Sequence, residues 1–119
     1  MLTLRGPGIK RARLLKALED MALADTCWQR NHAVRVGVEV DEFGDETMVF
    51  SRHQGDGLPA ANLTIELRPY GCGIADIVAL DAQPLSAVEY NAVVADFQAR
   101  IGTPAAAMTG FKVEREPLP

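Results

Sequence analysis

Residues that build small catalytic and metal sites are scarce in this chain. It has two histidines, His32 and His53, and two cysteines, Cys27 and Cys72. Neither histidine has a His or Cys two to four residues away, and the cysteines form no C-x-x-C pair, so no metal site and no cofactor is expected. Two isolated thiols in a chain with ample apolar residues fit a reducing compartment. They could pair only if folding brought their Cα atoms within about 7 Å. No apolar run reaches the ~18 residues of a membrane span. No long apolar stretch follows the first basic residues, so no secretory signal is expected either. These absences point to a cytoplasmic protein with no membrane partner.

Aromatic residues are few: one Trp, two Tyr and four Phe. The core must therefore rest on Val, Leu, Ile and Ala. Basic charge is also short, with a net charge of −4. An acidic body repels phosphate backbones, which makes nucleic acid an unlikely partner. The charge is uneven, however. Arg5, Lys10, Arg11, Arg13 and Lys16 occur before any acidic residue. Lys10, Arg11 and Arg13 form a candidate partner-binding cluster, although a solvated charged helix face is the default reading.

The 119 residues, 48% of them hydrophobic, suit a single domain with one core. Residues 1–8 end in Gly-Pro-Gly and read as an N-terminal arm or a very short edge strand. Residues 9–103 read as the domain, and residues 104–119 as a partly ordered tail that could add an edge strand. From Ile9 to about Asp25, the residues Leu14, Leu15, Leu18, Met21 and Ala22 fall on one helical stripe. Trp28 follows as a core plug that needs a partner for its indole N–H.

Ala33–Asp41 carries four valines at period two, the clearest strand pattern in the chain. Asp41–Asp45 reads as a hairpin loop. Glu46–Arg52 returns with Met48 and Phe50 inward. Asn62–Arg68 and Ile74–Leu80 supply two further strands; the last is apolar on both faces except at Asp76 and so belongs in the middle of the sheet. Leu85-Ser86-Ala87-Val88-Glu89-Tyr90 is a capping box with a hydrophobic staple. Tyr90, Val94, Phe97 and Ile101 continue that helix, with Gly102 as its terminator and Pro104 blocking further turns. The expected fold is α+β: a two-layer sandwich of helix, four-stranded antiparallel meander and helix, with a short C-terminal tail or edge strand.

Three features could carry chemistry. The loop His53–Pro59 places His53 and Asp56 among glycines, a pattern that presents a base to a ligand and also makes ordinary turns. Asp76 in an apolar strand must be paired, hydrogen-bonded or neutral, or else sit on the solvent side of the register. Cys72 between two glycines precedes a strand, which lacks the helix N-terminus that activates a thiol. The leading expectation is a small non-enzymatic protein-binding module of the regulatory, antitoxin or immunity kind. It would act through a sheet edge or the acidic surface, on a protein partner or as a homodimer. The alternative is a small-ligand or enzymatic domain using His53, Asp56 and Asp76. A weaker one is nucleic-acid contact through the basic first helix.

Overall fold

Strand β1, Leu2–Arg5, opens the chain, and a 3-10 turn leads into helix α1, Arg11–Ala24. The computed structural model describes residues 2–6, 8–31, 46–67, 72–79 and 85–119. Beyond α1 come β2 (Trp28–Arg30), β3 (Glu46–Arg52), β4 (Ala61–Leu67) and β5 (Cys72–Ala79). Helices α2 (Ala87–Phe97) and α3 (Thr103–Thr109) follow, then β6 (Lys112–Arg115).

The described strands form one six-stranded sheet in the order β2-β3-β4-β5-β1-β6. Every neighbouring pair is antiparallel. The α+β class stands, but the expected four-stranded meander is not matched. β2, β3, β4 and β5 lie side by side in chain order, but the first of them is Trp28–Arg30 and not the expected strand, and β1 and β6 extend the sheet beyond β5. The strand expected at Ala33–Asp41 and its loop lie outside the described residues. Residues 2–5, read as an arm or a very short edge strand, form a strand that is not at an edge: it pairs with β5 on one side and β6 on the other. Leu2 and Leu4 are fully buried there, and their loss of water contact drives a four-residue strand into the sheet.

Alternation decides which side chains reach the core. Met48 and Phe50 of β3 and Leu63 and Ile65 of β4 join Leu14, Leu18, Val93, Val94, Phe97 and Ile101 from the helices in one apolar cluster. Phe97 stands edge-on to Trp28 at 5.1 Å and tilted on Phe50 at 5.4 Å. On the opposite sheet face, Val49, Ser51 and Thr64 are buried as well.

Helix α2 starts where the capping box requires. Ser86 Oγ accepts the Glu89 N–H, and Glu89 Oε1 accepts the Ser86 N–H, both at 3.1 Å. Ser86→Ala should lower stability by about 1 kcal/mol, read as a shifted urea midpoint with unchanged slope.

The helix does not end at Gly102. Gly102 is right-handed helical (φ −63), and the chain passes through a π turn at Gln98–Gly102 directly into α3. Pro104 falls at the start of α3, where its missing N–H and ring clash would break an α-helical ladder. Five-residue hydrogen bonding widens the backbone at that point and absorbs it. The left-handed terminator is Gly110, φ 76, which any residue with a Cβ would adopt under strain.

Candidate functional site

The junction of α1, β2, β3 and the α2–π turn is held by charge. Position 52 lies in the β3 row with Met48 and Phe50, so its guanidinium points into the protein. Arg52 is 1% exposed. Burying that cation without partners would cost several kcal/mol, and its hydrogen bonds show how the cost is met. Nε donates to Asp96 Oδ2 at 3.0 Å, and Nη1 donates to the His53 carbonyl at 3.0 Å. Nη2 reaches Asp56 Oδ2 at 3.5 Å.

Asp96, in the last turn of α2, is the hub. Its Oδ2 also accepts the Trp28 indole N–H at 2.9 Å, the partner that Trp28 needs. Its Oδ1 accepts Arg100 Nε at 3.1 Å. Arg100 is presented by the π turn and extends to Asp25 Oδ1 at 3.5 Å. Asp25 in turn accepts the backbone N–H groups of Cys27 and Trp28 at 2.8 and 2.9 Å, which fixes the turn from α1 into β2.

Burial works against ionisation of Asp96, but the hydrogen bonds from Trp28 and Arg100 and the charges of Arg52 and Arg100 outweigh it. The pKa of its carboxyl is held below its ordinary value of 3.8. The hydrogen bond to Asp96, and then its charge, push the Arg100 pKa up. Because the folded pKa of Asp96 is depressed, the unfolded chain takes up its proton first as pH falls. The stabilisation is therefore complete above the ordinary carboxylate range and is lost as pH drops through the folded value. Urea midpoints measured from about pH 5 to about pH 3 should fall less steeply for Asp96→Asn than for the wild type.

A cleft of about 320 Å³ opens beside this network. It is lined by Leu23, Asp25, Thr26, Cys27, Trp28, Gln29, Ser51 and His53. Its floor is polar and fixed: Ser51 Oγ accepts from Asn31 Nδ2 at 2.8 Å and donates to Asn62 Oδ1 at 2.6 Å. Cys27 is a half-buried free thiol at the rim, 3.9 Å from Asp56 Oδ2. Asp25 and Ser51 already hold hydrogen bonds within the protein. Among the described residues no cluster of three His, Cys, Asp or Glu could hold a metal ion. What the cleft offers is a shaped, partly polar recess between a helix end and a sheet edge.

The residues singled out in the sequence are spread across the structure. His53 lines the cleft. Asp56 occupies a tight turn, bridged Gly55 to Leu58, with φ 54 at Asp56 and 76 at Gly57. Its side chain folds back toward Arg52 and Arg100. Asp76 pairs in register with Thr64, whereas Arg52, the neighbour of His53, pairs with Ala61 and through it with Ala79. Position 76 thus lies two strands from β3. At the start of α1, Arg13 is exposed, and Lys10 Nζ lies 3.6 Å from where a Cβ on Gly110 would sit. Gly110 closes the C-terminus of α3, where a cation complements the helix dipole. His32 lies outside the described residues.

Sequence reasoning missed Asp25, Arg52, Asp96 and Arg100. Period two from Met48 through Phe50 to position 52 carried the signal for Arg52. Asp96 and Arg100 are spaced four apart, the spacing of a helical ion pair. No described helix is long and apolar enough to cross a membrane. No family model, no curated protein and no solved structure matches this chain.

Proposed function

We propose that this chain is a non-enzymatic protein-binding module. Its recognition surface is the β2 edge together with the cleft beside it. One observation carries the reading. A recess of about 320 Å³ runs along Trp28–Gln29, and β2 is the outermost strand on its side among the described residues. An extended partner segment that adds to a sheet edge gains affinity from main-chain hydrogen bonds and specificity from pockets that take its side chains. The opposite edge is guarded. Lys112, Glu114 and Arg115 of β6 are exposed, and charged edge strands discourage pairing. The ion network behind the cleft holds its walls in place before a partner arrives, which lowers the ordering cost of binding.

A partner captured from cell extract by the wild-type chain should be lost with Gln29→Trp, which fills the recess, and kept with the β6 variant Lys112→Ala. A second copy of the chain is one form such a partner could take. Sedimentation showing a strict monomer at high concentration, with nothing captured, would remove the reading.

One feature favours a second reading, a small-ligand domain: His53 reaches the same cleft. The volume lies at the lower end of small-molecule sites. A ligand of that kind would raise the melting temperature of the wild type but not of His53→Ala.

A further inference from the structure

A separate surface on α2 grips a peptide backbone. Asn91 uses both ends of its side-chain amide on one residue: Nδ2 donates to the Leu118 carbonyl at 2.9 Å, and the Leu118 N–H donates to Oδ1 at 2.8 Å. That pair of bonds imitates one rung of a sheet and reads main chain, not side chain. Pro117 and Pro119 have no N–H, so Leu118 holds the one backbone donor of residues 117–119. A residue before proline is also biased toward extended backbone, the shape this clamp accepts. Proline on both sides reduces the freedom lost on docking.

The segment uses the surface only in part. Residues 114–119 are exposed, and Leu118 keeps 44% of its surface in water. Val88, one turn before Asn91 on the same helix face, stays 79% exposed with the segment in place. At Leu118 the two hydrogen bonds are exposed and little apolar surface is buried, so the contact of this residue opens readily.

We infer that the Asn91 face of α2 is a docking groove for extended peptides carrying an apolar residue between two prolines, and that residues 117–119 are its built-in occupant. A partner peptide takes the same two hydrogen bonds and covers Val88 as well. The tethered segment competes at an effective concentration on the order of millimolar, so it keeps the groove closed to weak ligands. This surface is distinct from the β2 edge and does not depend on it.

The test uses the full chain and a capped peptide, Glu-Arg-Glu-Pro-Leu-Pro, followed by fluorescence anisotropy. Leu118→Pro removes the N–H that Asn91 accepts and frees the groove without touching the core. The peptide should bind Leu118→Pro saturably and at least tenfold more tightly than it binds the wild type. Adding Asn91→Ala should weaken that binding at least tenfold. Adding Asn91→Asp, which keeps an acceptor and loses the donor, should also weaken it. Gln29→Trp on the Leu118→Pro background should leave it unchanged, separating this groove from the β2 edge. With native circular dichroism in each variant, two results would overturn the inference: no saturable binding to Leu118→Pro, or binding indifferent to Asn91.

Discussion

Replacing Arg52 by Ala should cost about 3 kcal/mol, a large share of the roughly 5–15 kcal/mol that holds a domain together. The guanidinium is buried and joins β3 to Asp96 on α2, to the His53 carbonyl and to Asp56. Removing it leaves a cavity and takes one cation from a carboxylate that is itself 19% exposed. That partial exposure, together with Arg100, sets the estimate at the low end for a broken buried pair. Arg52→Met should recover part of the loss, because its stem fills the space, while Asp96 retains Trp28 and Arg100. Combining Arg52→Met with Asp96→Leu should cost less than the sum of the single changes, since two partners of one interaction do not add. Urea unfolding of the four proteins measures each value. Strict additivity would show that the pair is not coupled.

Phe97→Ala should be at least as damaging, by about 3–5 kcal/mol. Phe97 has no exposed surface and stands between Trp28 and Phe50. Its ring is where α2 meets the sheet, so truncation removes two aromatic contacts and opens a void that neighbouring strands cannot collapse to fill. Phe97→Leu keeps most of the volume and should lose less than half as much. Loss of near-ultraviolet dichroism from Trp28 should accompany Phe97→Ala. A ΔΔG under about 1 kcal/mol would mean that the junction repacks freely, contrary to a close-packed core.

The two effects share a location, which bears on function. Phe97 and Asp96 are adjacent in α2, one facing the apolar cluster and the other the ion network. Together they seat Trp28, and Trp28 is one wall of the cleft. The proposed recognition surface therefore rests on a fully buried junction, while its opening lies at a sheet edge.

Much of this was legible in the sequence where a local pattern had no competitor. The Ser86–Glu89 box gave the start of α2, because two short-range hydrogen bonds define it whatever packs around it. Period two gave β3 and β4, and β5, apolar except at Asp76, was rightly placed in the interior of the sheet. The pattern misled where long-range packing prevailed. Leu2 and Leu4 allowed either an arm or a very short edge strand, and only burial between β5 and β6 decides for a strand inside the sheet. Gly102 and Pro104 carried the usual marks of a helix end, but the π turn admits proline and the helix continues to Thr109. The site itself was largely illegible. Asp25, Arg52, Asp96 and Arg100 come from separate elements, and only tertiary folding assembles them. His53 reached the cleft, Asp56 joined the network behind it, and position 76 fell two strands from β3.

Cys27 offers a native reporter for the recognition surface, since its thiol sits at the rim of the cleft. The decisive measurement is its alkylation rate, resolved from that of Cys72 by peptide mass, in the free chain and in the complex with a captured partner. Recognition through the β2 edge predicts at least a tenfold slowing in the complex, and no slowing on adding partner to the Gln29→Trp variant, measured against that variant alone. An unchanged Cys27 rate in a fully formed complex would contradict it and move the partner to another face.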